Sequence, residues 1–286
     1  MSMSNPPRTQ TDEEAQRERW SARAALWRER PPSRNVPSQI TAELMLAALD
    51  PRPTMRVLDV ACGMGEPAIT IAAGIASVDG QVLATDLVEE MLAMARENAA
   101  QRELSNIAFQ QANAEALPFP DATFDAVTCR HAVMLLPDAP QALREMRRVL
   151  VPGGRAICLL AGPPEQSARE RPLAVVRKYV SLPETPPGAP DRFRFSGPGE
   201  LAEQLRRAGF REVSDVVYTV PVVWTGSVEE RWATALRNSR RIAKAIATLP
   251  AEQQQALTNE VFEAFRDEEQ RGSEATATVV LATGVK

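Results

Sequence analysis

The sequence has a single histidine, His131, and three cysteines, Cys62, Cys129 and Cys158, in 286 residues. An odd thiol count with no Cys-x-x-Cys spacing and no Cys/His cluster supports neither a disulfide frame nor a zinc site, so no metal is assigned. Each cysteine lies in or beside an apolar run, so reduced, buried thiols and a cytoplasmic location are expected. No apolar run approaches the ~20 residues of a membrane helix, so no membrane span is expected. The N-terminus is polar and lacks an apolar core, so no secretory leader is expected. Basic residues are not in excess either: 33 Lys and Arg stand against 37 Asp and Glu, a net charge of −4. That balance argues against nucleic acid as a partner. The remaining composition is that of a globular chain long enough to bury a sizeable core.

What is present is a rhythm of buried strands and amphipathic helices. Residues 1–10 read as a disordered tail. A helix over 12–30 places Trp20, Ala24 and Trp27 on one face, and Pro31-Pro32 ends it. A second helix runs from Ser38 to about Leu49. These two helices precede the first strand. They either pack on a sheet edge or form a lid over a ligand. Strands follow at 56–60, 81–85, 105–110, 124–129 and 155–160, with helices at 66–77, 88–101 and 138–150 between them. Asp79-Gly80 and Pro152-Gly153-Gly154 read as turns. Alternation of this kind, with strands apolar on both faces, indicates a parallel sheet covered by helices on both sides. Beyond it lie a helical stretch over 165–180, a proline-rich loop to Pro198, a helix over 199–208 and a strand over 211–223. Helices over 227–249 and 251–271 and a last strand over 275–283 complete the chain.

The chemistry gathers at the strand ends. Arg56-Val57-Leu58-Asp59-Val60 runs into Ala61-Cys62-Gly63-Met64-Gly65-Glu66-Pro67, a strand, a glycine turn and a helix start. This arrangement lets a nucleotide-like ligand approach backbone N–H groups. Two glycines alone are a weak signal. Asp86, however, ends the second strand 21 residues after Gly65, where a carboxylate can accept both hydrogen bonds of a ribose diol. Asn113-Ala114 follows the third strand and Arg130-His131 the fourth. A nicotinamide dinucleotide fits less well. Position 68 is alanine in the Gly-x-Gly-x-x-Gly pattern, and Glu66 would put negative charge beside a pyrophosphate. A ligand bearing a sulfonium and an ammonium tolerates such carboxylates better.

Val57 to Pro67 resembles motif I of the class I S-adenosylmethionine-dependent methyltransferases. The resemblance continues through Ala84-Thr85-Asp86-Leu87, Met91-Leu92, Ala114-Glu115-Ala116-Leu117-Pro118-Phe119, Phe124-Asp125-Ala126-Val127 and Arg148-Val149-Leu150-Val151-Pro152-Gly153-Gly154-Arg155. It covers roughly residues 40–160 and is nearest to the branch of ubiquinone and menaquinone C-methyltransferases and small-molecule methyltransferases of secondary metabolism. It implies an α/β, Rossmann-like, doubly wound seven-stranded sheet with its last strand antiparallel, plus helical cap insertions. It implies S-adenosyl-L-methionine as cofactor. By position, Asp59 organises the glycine turn and faces the methionine amino group. Ala61, Gly63 and Gly65 form the turn that the cofactor approaches. Asp86 holds the ribose, Leu87 and Met91 lie by the adenine, Asn113 and Ala114 meet its edge, and Arg130 and His131 pass near the methionine part. Two positions depart from the family pattern: Ala61 stands where glycine is commoner, and Asn113 stands where aspartate is usual.

The divisions expected are N-terminal helices over 1–50, a cofactor-binding core over 51–162, a cap insertion over 163–198, core again over 199–223, a helical cap over 224–272 and a final core strand over 273–286. The insertions are expected to shape a pocket for a small, hydrophobic or aromatic methyl acceptor of quinone or secondary-metabolite type. Tyr179, Phe193, Phe195, Trp224 and Trp232 are candidates to line it, and Arg192 and Arg194 to meet an acidic group. The same side chains could equally close a small core of their own. His131 is the candidate catalytic base, because an unperturbed imidazole titrates near ~6.5; the alternative is a packing role. The Asp/Asn-Pro-Pro-Tyr/Phe loop of amino-methylating DNA enzymes is missing after the fourth strand, which reads Arg130-His131-Ala132-Val133. Asn5-Pro6-Pro7-Arg8 lacks the aromatic and lies in the tail. A non-catalytic cofactor-binding regulator or partner subunit is the second function class.

Overall fold

The computed structural model describes residues 10–28, 36–182, 186, 188–221, 226–270 and 276–286. Tail residues 1–9, Pro31-Pro32, part of the proline-rich loop and Trp224 lie outside the described residues.

The helices are α1 (Gln10–Arg28), α2 (Val36–Leu49), α3 (Ala68–Ile75), α4 (Glu89–Ala100), α5 (Ala139–Val149), α6 (Arg171–Tyr179), α7 (Glu200–Arg207), α8 (Val228–Asn238), α9 (Arg240–Ala247) and α10 (Ala251–Gln270). The strands are β1 (Arg56–Val60), β2 (Gln81–Asp86), β3 (Ile107–Gln111), β4 (Phe124–Arg130), β5 (Leu150–Ala161), β6 (Arg211–Pro221) and β7 (Thr276–Val285). They form one seven-stranded sheet in the order β3-β2-β1-β4-β5-β7-β6. Strands β1 to β5 are mutually parallel, and β7 runs antiparallel between β5 and β6. The strand order reverses between β1 and β4, so a crevice opens there beyond the carboxyl ends.

Alternation along each strand feeds two cores. Leu58, Val127, Cys129, Ala156, Cys158 and Val280 meet Leu143 and Met146 of α5 and Leu201 and Leu205 of α7 on one face. Val57, Ala126, Ile157, Leu159 and Leu281 meet Met45 and Leu49 of α2 and Ile71 and Ile75 of α3 on the other. Both faces are covered, which is why the strands carry so few polar residues. Cys62, Cys129 and Cys158 are buried free thiols.

Three elements differ from the sequence-based outline. Strand β5 starts at Leu150 rather than Arg155, because Leu150 pairs with Phe124 before the register shifts and Ala126 pairs with Arg155. The extra residues bulge at Pro152-Gly153-Gly154, where Gly153 has φ +78. The helix expected over 227–249 is broken at Ser239, whose side chain accepts the Ile242 N–H and caps α9. The helical stretch over 165–180 begins as two short 3-10 turns, and α6 starts only at Arg171.

The two insertions share one core. Val175, Val176 and Val180 of the first pack with Val228, Trp232, Ile242, Ile246, Leu257, Val261 and Phe265 of the second. Trp232 is buried there, and Tyr179 Oη donates to Glu260 at 3.1 Å. Phe195 instead packs against the sheet core, under the Arg194 guanidinium at 4.5 Å. Among the described residues no helix is long and apolar enough to cross a membrane.

Candidate active site

Asp59 occupies the switch point. It is fully buried in β1, directly across from Thr128 of β4. Its Oδ1 accepts the Thr128 hydroxyl at 2.6 Å. Its Oδ2 is buried and closes no hydrogen bond among the described residues, with the Ala68 N–H acting on the carboxyl from the start of α3. Burial pushes this carboxyl up to about 7, with the Thr128 hydroxyl and the Arg130 charge pulling it down and Glu66 adding to the rise. A buried carboxylate oxygen with no closed hydrogen bond is costly. It therefore fits a ligand that brings a cationic donor.

The turn after β1 is built for close approach. Cys62 N–H donates to Thr85 O at 2.8 Å, and Gly65 N–H to Cys62 O at 2.9 Å. Gly63 has φ +56, and a Cβ placed on it would meet nothing within 4 Å, so its backbone borders open space. Gly65 has φ +107, and there a Cβ would fall 2.5 Å from Ile69 Cδ1 and 3.3 Å from Ala95 Cβ. The two glycines therefore serve different ends: Gly63 leaves room on the open side, and Gly65 packs the turn onto α3 and α4. Ala61 has φ +57, a region that favours glycine.

Asp86 closes the turn from β2. Its Oδ2 accepts the Gly63 N–H at 2.9 Å and its Oδ1 the Val88 N–H at 3.0 Å. Burial raises its carboxyl, while the Gly63, Val88 and Leu87 N–H groups pull it back. Each oxygen keeps a lone pair for a further donor. Beyond β3, Asn113 Oδ1 accepts the Glu115 N–H at 2.9 Å and its Nδ2 donates to Glu13 Oε2 at 2.9 Å. Ala114 is buried beside it. Leu87, Met91 and Met64 pack against Trp20, Ala24 and Trp27 of α1. The tryptophan face of α1 thus lies on the turn and the β2–α4 junction.

Arg130 ties this end together. Its Nε and Nη2 donate to Glu66 O at 3.2 and 3.0 Å, and its Nη1 to Ser38 O at 3.3 Å and Thr41 Oγ1 at 3.0 Å. Burial lowers its pKa, while Glu66 and Asp59 raise it. His131 follows with φ +53, its N–H donating to Leu159 O at 2.6 Å. The first insertion reaches the same loop: Asp191 N–H donates to Met134 O at 3.2 Å and Arg194 Nη1 to Leu136 O at 2.9 Å. Arg192 meets Glu170 at 3.4 Å. Asp59, Ala61, Gly63, Asp86, Asn113, Arg130 and His131 thus ring the carboxyl ends of β1 to β4. Thr128 and Glu13 escape sequence reasoning. Thr128 leaves one signal, a polar residue within an apolar strand; Glu13 leaves none, lying in a charge-rich helix. Among the described residues no group of three His, Cys, Asp or Glu side chains could hold a metal ion.

An open sheet with a glycine turn, a buried acid at the switch point and a second acid at the end of β2 defines the class of nucleotide-type cofactor binders. The comparisons narrow it. Residues 58–158 match the model of a methyltransferase domain. The demethylmenaquinone methyltransferase of Deinococcus radiodurans is 36% identical over 188 residues, which are 60% of this chain and 74% of that protein. The demethylmenaquinone methyltransferase of Bacillus mycoides is 32% identical over 184 residues, 61% of this chain and 77% of that protein. The crystal structure of the YcgJ protein from Bacillus subtilis superposes with a TM-score of 0.56 at 23% identity, covering 86% of this chain and 98% of that one. The cyclase SpnF gives 0.52 at 22% identity, covering 86% and 80%; these likenesses concern the fold alone. The chain belongs to the class I S-adenosylmethionine-dependent methyltransferases, in the quinone-methyltransferase-like branch. It is an enzyme, and S-adenosylmethionine is its cofactor.

Proposed function

We propose that this methyltransferase acts on a small, hydrophobic acceptor of quinone type, held between the sheet and the cap, and that His131 removes a proton from it. Its similarity to two demethylmenaquinone methyltransferases over about three quarters of their length carries the acceptor class. S-adenosylmethionine supplies a methyl group already activated by sulfonium sulfur, so the chain's own part is alignment and proton removal. Asp59 Oδ2 takes the cofactor's ammonium, which supplies the missing donor. Gly63 gives its backbone room to approach. Asp86 takes the ribose diol with its remaining lone pairs, Leu87 and Met91 flank the adenine, and Asn113 and Ala114 meet its edge. Arg130 holds the glycine turn against α2, with four of its five N–H donors engaged by Glu66, Ser38 and Thr41 and one left on Nη2 for the methionine part of the cofactor. His131 stands at the end of β4, on the loop that the first insertion covers through Asp191 and Arg194.

The test is turnover. Purified protein is incubated with S-adenosylmethionine and a reduced demethylmenaquinone analogue of short side chain, and methylated product is followed by mass spectrometry. Methylation supports the quinone class. Methylation of a simple phenol panel with none of the quinol would overturn it in favour of a secondary-metabolite acceptor.

A further inference from the structure

Asn113 is locked. Its single acceptor oxygen takes the Glu115 N–H at 2.9 Å, which turns its nitrogen toward α1. That nitrogen donates to Glu13 Oε2 at 2.9 Å, across 100 residues of sequence. The other Glu13 oxygen accepts Arg17 Nη2 at 2.5 Å. Farther along the same helix, Trp20, Ala24 and Trp27 pack against Met64, Leu87, Val88, Met91 and Met94. One helix thus touches the glycine turn, the end of β2 and the turn after β3.

We propose that Glu13 is the carboxylate that reads the exocyclic amine of the adenine, setting the cofactor's base specificity, with Asn113 as its positioning residue. The inference rests on the adenine placement proposed above. An amine at C6 needs an acceptor. The Asn113 oxygen has one of its two lone pairs taken by the Glu115 N–H, and the nitrogen beside it can only donate. Glu13 Oε2 keeps lone pairs after taking that donor, and its charge strengthens whatever it accepts. A keto oxygen at C6 would set acceptor against acceptor and be rejected. An i,i+4 pair with Arg17 alone stabilises a helix by only a few tenths of a kcal/mol, and it does not account for a bond from α1 to the turn after β3. The departure at position 113 is then compensated: the carboxylate comes from the N-terminal helix, so specificity requires that helix to be docked.

The test compares S-adenosylhomocysteine with its inosyl analogue, binding each to the full chain by titration calorimetry. Wild type is expected to prefer the adenosyl ligand by about tenfold or more. Glu13→Ala should bring that preference to within about twofold, and Trp20→Ala, which loosens the helix that carries Glu13, should weaken binding of the adenosyl ligand and narrow the ratio as well. A wild-type ratio retained in Glu13→Ala overturns the proposal. If that ratio survives Glu13→Ala and is lost in Asn113→Ala, Asn113 itself reads the amine. A wild type that does not distinguish the two ligands overturns the adenine placement beneath both.

Discussion

Asp59 and Thr128 face each other across the point where the strand order reverses, and their 2.6 Å hydrogen bond satisfies only one of the two Asp59 oxygens. The fold holds a fully buried, half-satisfied acid where its ligand binds. Its carboxyl, near 7 in the folded chain, lies far above the ~3.9 of an exposed aspartate.

The sign of the pH dependence follows. Where the native state binds the proton more tightly than the unfolded chain, stability falls as pH rises. Below about pH 4 both states are protonated and Asp59 costs nothing. Through about pH 4 to 7 only the unfolded chain ionises, and above about 7 the whole penalty is felt. Asp59→Asn should therefore stabilise the protein at pH 8 by on the order of 4 kcal/mol and by little at pH 4. Denaturant unfolding of both proteins at the two pH values measures this. Cofactor binding should move the opposite way: wild-type affinity should fall as pH drops through about 7, and Asp59→Asn should lose it, trading function for stability.

The glycines separate by experiment. Gly63→Ala meets no atom within 4 Å but keeps a φ of +56, so it should cost about 1 kcal/mol of stability and raise the S-adenosylhomocysteine Kd at least tenfold. Gly65→Ala drives a methyl to 2.5 Å from Ile69 Cδ1 and should cost about 1–3 kcal/mol through overpacking. Thermal melts read the second effect and calorimetry the first. Equal effects of both substitutions on affinity would remove the distinction.

Most of the sheet was legible because its signal is apolar runs and turn residues. The parallel strands and β7 lie near where periodicity and Gly, Pro and Asp punctuation put them; that β7 runs antiparallel was implied by the family resemblance. The start of β5 was not, since Pro152-Gly153-Gly154 carries the chemistry of a turn but is stitched into the ladder as a bulge. The two-helix reading of 227–271 missed Ser239, because a lone serine marks a cap only when the chain bends there. At the site, residues on strand ends were accessible from spacing. Side-chain partnerships were not. Nothing in the spacing tells that Arg130 is engaged by Glu66, Ser38 and Thr41, or that Trp232 closes the cap's own core.

Arg130 gives a third prediction. One planar guanidinium serves two backbone carbonyls and a hydroxyl from two separate segments, which lysine cannot reproduce. Arg130→Lys should cost about 1–2 kcal/mol, because it strands the half-buried Glu66 carbonyl. It should also weaken cofactor binding about tenfold by freeing the glycine turn from α2. Denaturant titration checks the first and ligand titration the second. Unchanged stability would mean that water replaces the fork without loss.

His131 separates catalysis from binding. Its φ of +53 makes alanine a poor probe there, because a strained backbone would confound the result. Asparagine tolerates the left-handed region and has no basic nitrogen. If His131 removes the acceptor's proton, His131→Asn should lower kcat at saturating acceptor about 10²-fold or more while leaving the S-adenosylhomocysteine Kd within about threefold. The loss should shrink with a more acidic acceptor, which arrives already ionised and needs no base. A rise in Kd with kcat preserved would assign His131 to the cofactor's methionine part instead. An equal kcat loss for acidic and weakly acidic acceptors would show that it orients the acceptor without taking its proton.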